Sequence, residues 1–159
     1  MPVLRLDQAA EVRVGGKKAS EVWIAGNRVW TPPPSASLLM LNATPAYLSF
    51  FTIQSATPSS IILNGQNTNR RVVTWAVDLR AGDVLSFKYQ SEVALHSRTA
   101  TDLPQTATRD TVLAGVTAAS PQAFIMTLKY SAPYFGFLIG TGTPAGTVTI
   151  TDFSITRPV

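Results

Sequence analysis

The sequence has no cysteine, one histidine and few charged residues, and each shortage excludes a kind of chemistry. Without cysteine there are no disulfide bonds, thiolate nucleophiles or thiolate metal ligands. The single histidine, His96, has no acid or nucleophile at a recognisable spacing, so it does not indicate a catalytic triad. The carboxylates of residues 38–159, which we call the body, lie mostly at turns, so they do not indicate the paired acids of a glycosidase. We therefore predict a protein that is not an enzyme and needs no cofactor.

Two further shortages concern secondary structure and partners. Runs of the helix formers Glu, Lys and Leu are almost absent, which favours an all-β fold. No apolar run approaches the roughly 18 residues that span a bilayer, and no export signal opens the chain, so we expect no membrane insertion. The net charge of +4 is spread thinly, and the one basic pair of the body, Arg70-Arg71, points to opposite faces of a strand. Nucleic acid is therefore not an expected partner.

Residues 11–31 combine short β-prone runs with glycine turns. Gly15-Gly16 and Ala25-Gly26-Asn27 separate three such runs, which predicts a small β-meander over residues 1–31. A meander of this size buries too little apolar surface to be stable alone, so we expect another protein to complete it. The predicted apolar anchors are Val12, Val14, Val22, Trp23, Ile24, Val29 and Trp30. Alternatively, both tryptophans fold back onto the body of the same chain.

A proline-rich spacer follows at residues 32–37 and leads into the body at 38–159. Three consecutive prolines favour a stiff, extended segment. The meander and this proline hinge together resemble the start of minor structural proteins of tailed bacteriophages and gene-transfer particles. The resemblance implies a virion protein, assembled in the host cytoplasm, that docks onto the capsid or tail. It implies other virion structural proteins as partners, and symmetric association into a homo-oligomer such as a trimer would help to cover the meander.

The body shows short strands with alternating apolar residues. The clearest alternation, over residues 73–79, places four apolar side chains on one face. Residues 91–111 lose this alternation and are predicted to form a long polar loop. In the last strand the apolar phase reverses near Thr151-Asp152, which predicts a β-bulge. Eight or nine such strands without helices predict an antiparallel β-sandwich of jelly-roll type.

Two segments of the body resemble carbohydrate-binding modules of the jelly-roll class. Residues 79–89, which begin Leu-Arg-Ala-Gly-Asp-Val-Leu-Ser-Phe, are similar to a central strand entry of these modules, and residues 147–156 are similar to their closing strand. In such modules an Asp at the position of Asp152 often helps a structural calcium site. No acidic partner is evident near the start of the sandwich, so Asp152 is a weak metal candidate, and a hydrogen-bonded bulge residue is the alternative.

Glycan binding by a sandwich needs aromatic faces that stack on sugar rings and polar groups at their edge. The candidate residues are Tyr47, Tyr89, His96, Arg98, Tyr130 and Tyr134. Core packing is the alternative for each tyrosine, and a surface or edge-strand position is the alternative for His96. Two functions remain: a virion structural protein whose displayed sandwich contacts a host-surface glycan, and a free-standing carbohydrate-binding module. The first is favoured because an anchor and a spacer are both present.

Overall fold

The computed structural model describes residues 13–14, 17–18, 22–24, 27–30, 36–65 and 68–158. The chain divides into two compact units, Met1–Ala36 and Ser37–Val159. In these described ranges the regular elements are all β-strands, which confirms the predicted all-β class. None of the described residues belongs to a helix that is long and apolar enough to cross a membrane.

The described residues of the first unit form four short strands. They are β1 (Arg13–Val14), β2 (Lys17–Lys18), β3 (Val22–Ile24) and β4 (Asn27–Trp30). β1 pairs with β2 and β3 pairs with β4, both antiparallel, so the described residues form two hairpins instead of one three-stranded meander. The difference arises because Val14 pairs with Lys17 across a two-residue connection, which places the two lysines on a strand of their own.

Several predictions for this end of the chain concern residues or side chains that the structure does not describe. Val12 and residues 32–35 of the spacer lie outside the described residues. For the other predicted anchors, the description is limited to the backbone. Their strand positions are Val14 on β1, Val22, Trp23 and Ile24 on β3, and Val29 and Trp30 on β4. Their role as anchors therefore stays a prediction.

In the second unit, residues 37–65 and 68–158 are described and form eight strands. They are β5 (Tyr47–Ser49), β6 (Phe51–Thr57), β7 (Ser60–Gly65), β8 (Arg71–Leu79), β9 (Val84–Ala100), β10 (Thr108–Thr127), β11 (Ala132–Ile139) and β12 (Gly146–Thr156). All pairings are antiparallel and follow the order β5-β8-β11-β9-β12-β7-β6, with β10 along the other edge of β9. Phe50, with a positive φ of 55°, separates β5 at one end of this order from β6 at the other.

Strand β9 belongs to two sheets. Its first half pairs with β12, up to Ser91 opposite Val148, and its second half pairs with β11 from Leu95 opposite Ile139. We call the sheet of β5, β8, β11 and the second half of β9 the front sheet. The sheet of β6, β7, β12 and the first half of β9 is the back sheet. The predicted antiparallel sandwich of jelly-roll type is thus confirmed.

The inner faces of the two sheets enclose one aromatic core. Phe87 of the back sheet meets Phe137 of the front sheet, with 5.8 Å between ring centroids. Trp75 packs edge-on against the same Phe137 at 6.3 Å. All four apolar residues of 73–79 are buried, so the alternation predicted there is confirmed. Burying one such large apolar side chain contributes about 2 kcal/mol, and this core holds the two sheets together.

The predicted polar loop over residues 91–111 is wrong: the loop is confined to residues 101–107, between β9 and β10. The end of β9 resembles a loop in sequence because inward positions carry hydroxyls, and Ser97 and Thr99 are fully buried. Ser97 donates to the carbonyl oxygen of Gly136 at 3.0 Å, and Thr99 Oγ1 accepts a backbone N–H at 2.9 Å. Buried hydroxyls are tolerated in a core when each has such a partner.

The predicted bulge in the last strand is confirmed. The pairing of β12 with β9 steps from Thr151 opposite Lys88 to Ser154 opposite Ser86, so two residues of β12 face one of β9. Asp152 takes up the extra residue with a positive φ of 52°. The bulge restores the inward direction of the next apolar side chain, since Phe153 is buried.

Candidate functional site

The outer face of the front sheet, on the side away from the core, carries four of the six candidate glycan-binding residues. Directly paired residues of antiparallel strands project from the same face. Tyr47 is paired with Thr74, Thr74 with Gly136, and Gly136 with Arg98. One row across four strands therefore joins the candidates Tyr47 and Arg98.

His96 and Tyr134 extend this surface. His96 precedes Arg98 by two residues on β9, and Tyr134 precedes Gly136 by two on β11, so both project from the same face. Tyr47 and Tyr134 are half-buried. Neither tyrosine hydroxyl has a hydrogen-bond partner in the part of the chain that the structure describes. Their polar ends are therefore available to a ligand.

The other two candidate tyrosines lie elsewhere. Tyr89 is on the inner face of the back sheet and packs edge-on against Phe87, with 6.2 Å between ring centroids. Tyr130 follows β10 and is 49% exposed, with the guanidinium carbon of Arg109 at 5.1 Å from its ring centre. The structure does not bring either residue to the outer face of the front sheet.

The loop of residues 101–107 folds over the centre of this surface. Gln105 is fully buried, and its side-chain amide donates to Oγ1 of Thr74 at 2.6 Å and to the carbonyl oxygen of Val73 at 3.2 Å. Position 136 must be glycine because a Cβ there would overlap the Gln105 amide and the Val73 carbonyl oxygen. One buried amide thus fixes the loop on the sheet.

Two arginines hold the same loop by its backbone. Arg70 Nη2 donates to the carbonyl oxygen of Pro104 at 2.9 Å and to that of Gln105 at 3.5 Å. Arg98 Nη1 donates to the carbonyl oxygen of Gln105 at 3.2 Å and to the hydroxyl of Thr108 at 3.2 Å. Among the described residues neither guanidinium has a carboxylate partner. Burial, and then the charge of Arg70, lowers the pKa of Arg98.

The remaining titratable groups of the surface carry little free negative charge. Burial, followed by the charge of Arg98, lowers the pKa of His96, so its imidazole is neutral near pH 7 and offers one donor and one acceptor. The loop carboxylate, Asp102, is engaged within the loop. Hydrogen bonds from the Thr106 hydroxyl and then from the Ala107 N–H lower its pKa. The surface therefore combines aromatic rings, neutral donors and cations.

A shallow groove of about 630 Å³ continues this surface at the end of β8 and the start of β11. It is lined by Ala76, Val77, Asp78, Leu79, Ser131, Ala132 and Pro133. Ala76 is the direct partner of Tyr134, so the groove lies beside that tyrosine. Ligand sites are typically about 300–1,000 Å³ in volume, so this groove is large enough for a small saccharide.

Asp152 lies on the back sheet. Its carboxylate pairs with Lys88 at 2.9 Å, and the two side chains line a separate groove of about 310 Å³. No group of three His, Cys, Asp or Glu in the described residues could hold a metal ion. With its charge matched by Lys88, Asp152 fits the alternative of a structural bulge residue.

Sequence reasoning missed Arg70 and Gln105. The pair Arg70-Arg71 does divide between two faces: Arg71 is fully buried and donates to the carbonyl oxygens of Thr143 and Pro144. Arg70, however, comes just before β8 and lies close to Arg98 of β9, since both donate to the carbonyl oxygen of Gln105. Only the strand register and the folded loop bring these two arginines together, and no local pattern could have indicated it.

No protein-family model and no curated protein match the sequence. Among solved structures, the fold is similar to family 29 carbohydrate-binding modules. An alanine variant of such a module aligns with a TM-score of 0.58 at 13% identity, over 78% of this chain and 92% of that chain. A variant complexed with cellulohexaose gives a TM-score of 0.54 at 13% identity over the same shares. Another family 29 structure also gives 0.54 at 13% identity, over 78% of this chain and 89% of that chain. At these identities the likeness shows a shared fold.

Proposed function

We propose that the chain is a non-catalytic glycan-binding protein and that the outer face of the front sheet is its binding surface. The observation that carries the proposal is the strand register, which gathers Tyr47, Tyr134, His96 and Arg98 on one face. A groove of suitable size lies beside Tyr134. The shared fold adds support, since one of the similar modules was solved with cellulohexaose and another with mannohexaose.

The chemistry of the four residues suits a sugar. The two tyrosine rings offer apolar faces for the C–H surface of a pyranose, and their unpartnered hydroxyls can bond its hydroxyls. His96 and Arg98 add donors at the edge. All four side chains stand on paired strands, so little conformational entropy is lost when a ligand binds.

Calorimetric titration of the full chain with cellulohexaose and mannohexaose tests this function. We expect binding, and we expect Tyr134→Ala to weaken it about fivefold, because an aromatic contact contributes on the order of 1 kcal/mol. Tyr130→Ala removes an equal side chain outside the surface and should leave the affinity unchanged. Thermal unfolding of both variants checks that they are folded.

Two results would contradict the proposal. A chain that binds neither sugar is not a receptor for these glycans, and a screen against further neutral and acidic oligosaccharides that also gives no binding would rule out the function. Undiminished binding by Tyr134→Ala, with a loss in Tyr130→Ala, would place the binding surface at the turn after β10 instead.

A finer version of the function concerns the first unit. We infer that it attaches the sandwich to a larger particle, a virion, in contrast to a free-standing module. The division of the chain at residue 36, beside three prolines, supports this interpretation. Two-stranded hairpins are at best marginally stable in water, which favours completion by other virion proteins or by copies of this chain.

Light scattering of the full chain beside a chain that begins at Ser35 separates the two versions. An oligomeric full chain beside a monomeric truncated chain would support attachment through the first unit. Equal, stable monomers would instead favour the free-standing carbohydrate-binding module.

A further inference from the structure

Most carboxylates of the second unit are already engaged away from the proposed glycan surface. Asp78 and Asp83 bind Arg157, and Asp152 binds Lys88. Asp110 accepts two backbone N–H groups, from Lys129 and Tyr130. Glu92 accepts the N–H of Thr147, and the loop's own Asp102 accepts those of Thr106 and Ala107. Among the described residues, no carboxylate forms an ion pair with either arginine that holds the loop of residues 101–107.

The two guanidinium groups of these arginines converge on one backbone oxygen. Arg70 Nη2 and Arg98 Nη1 both lie within 3.5 Å of the carbonyl oxygen of Gln105. A carbonyl oxygen carries only a partial charge, so it does not neutralise two cations. Each guanidinium has five N–H donors, and the hydrogen bonds described here use one nitrogen of each, which leaves donors for a further acceptor.

The setting of these cations strengthens their attraction for an anion. Both side chains are half-buried, and charges interact more strongly where water is partly excluded. An anionic ligand would relieve the mutual repulsion of Arg70 and Arg98.

We propose that the ligand of this surface is an acidic glycan, whose carboxylate or sulfate group binds between Arg70 and Arg98. The inference rests on the proposed glycan-binding function and adds the chemical class of the ligand. Guanidinium groups bind planar carboxylates in a paired, charge-assisted geometry that a lysine ammonium does not reproduce. The neutral imidazole of His96 and the hydroxyls of Tyr47 and Tyr134 then bind the uncharged part of the sugar.

The test compares a carboxylated probe, hexagalacturonate, with neutral cellulohexaose in calorimetric titrations of the full chain. We expect hexagalacturonate to bind at least tenfold more tightly at low salt and to lose affinity as salt is added. Arg70→Gln should weaken hexagalacturonate at least about tenfold and cellulohexaose much less, because the neutral sugar offers no anionic group to the lost guanidinium. Lys88→Gln removes the same charge from the back sheet and should change neither affinity.

A second variant and a competitor keep the test decisive if Arg70→Gln fails to fold. Arg70→Lys keeps the charge but loses the planar fork, so we expect a loss for hexagalacturonate about half as large on a logarithmic scale. With the unaltered chain, sulfate replacing chloride at equal ionic strength should compete with hexagalacturonate and leave cellulohexaose binding unchanged.

The outcomes separate the two proposals. Equal affinity for both probes, or equal losses in Arg70→Gln and Lys88→Gln, would overturn the acidic ligand and leave glycan binding intact. The same holds for a chain that binds cellulohexaose alone. A chain that binds neither probe would overturn the acidic ligand, and the broader oligosaccharide screen described above would then decide whether the surface binds glycans at all.

Discussion

The two halves of β9 carry similar outward side chains in opposite electrostatic settings. In the back-sheet half Lys88 pairs with Asp152, and at the turn before it Asp83 pairs with Arg157. In the front-sheet half Arg98 shares a backbone oxygen with Arg70. One half neutralises its charges internally, whereas the other keeps cations available. The comparison teaches that register, which decides a residue's neighbours, also decides whether a surface charge is paired within the fold or left without a counter-charge.

The largest expected effect is a loss of stability caused by a substitution in the front sheet. In Gly136→Ala the added Cβ would overlap the Val73 carbonyl oxygen, which cannot turn aside, and would expel the buried amide of Gln105. We expect the free energy of unfolding, measured by urea denaturation, to fall by about 3 kcal/mol, from overpacking and lost buried hydrogen bonds.

Gly140→Ala is the matched control for this variant. A Cβ at residue 140 meets nothing within 4 Å, so this change should leave stability equal or raise it by about 0.5 kcal/mol. Equal stability of Gly136→Ala and Gly140→Ala would show that the loop is not fixed by Gln105.

The next effect is a pH-dependent loss of stability, and it concerns the Asp83–Arg157 pair at the turn before the back-sheet half of β9. Burial alone would raise the pKa of Asp83, but hydrogen bonds from Arg157 and from the backbone N–H of Arg80 hold it below its ordinary value. A carboxylate with a lowered pKa in the folded state stabilises the protein fully above its unfolded pKa of about 4. This stabilisation is lost as pH falls through that value towards the lowered folded pKa.

We therefore expect Asp83→Asn to be less stable than the natural chain near neutral pH, with the difference shrinking below about pH 4. Thermal unfolding across pH measures it. Asp78→Asn is the control, because the Asp78 side chain is 74% exposed and its pairing contributes little. A pH-independent difference for Asp83→Asn would contradict the role of its charge.

The smallest expected effect concerns the exposed ion pair of Lys88 and Asp152 on the back sheet. The hydrogen bond and charge of Asp152 raise the pKa of Lys88, but both side chains are more than half exposed, and exposed pairs contribute little. Lys88→Gln should leave the unfolding midpoint in urea unchanged within error. A loss as large as that of Asp83→Asn would show that the exposed pair stabilises the back sheet.

The frame of the sandwich could be predicted from sequence because its core positions are apolar and alternate. Residues 73–79 give four buried side chains on one face, as the pattern predicts. The phase reversal near Asp152 likewise predicts the bulge, since a change of face in a strand has few physical causes. Where burial is achieved with apolar groups, the sequence is sufficient.

The candidate site depended on features that a linear pattern hides. The buried hydroxyls of Ser97 and Thr99 look polar in sequence, so the strand that positions His96 and Arg98 was predicted as a loop. The contact of Arg70 with the loop beside Arg98 depends on register and on a single buried glutamine. The structure places Tyr47 and Tyr134 on the outer face of the front sheet and Tyr89 on the inner face of the back sheet. The alternation of apolar residues alone did not decide the face of Tyr134.

A strand shared by two sheets has a consequence for motion. One half of β9 pairs with the back sheet and the other half with the front sheet, so disorder of this strand disrupts both, and we expect the sandwich to unfold as one cooperative unit. We therefore expect the amide hydrogens of β9 to exchange with solvent mainly through unfolding of the whole unit. Adaptation to a ligand must come from the loop of residues 101–107 and from side chains, while the strands beneath stay fixed.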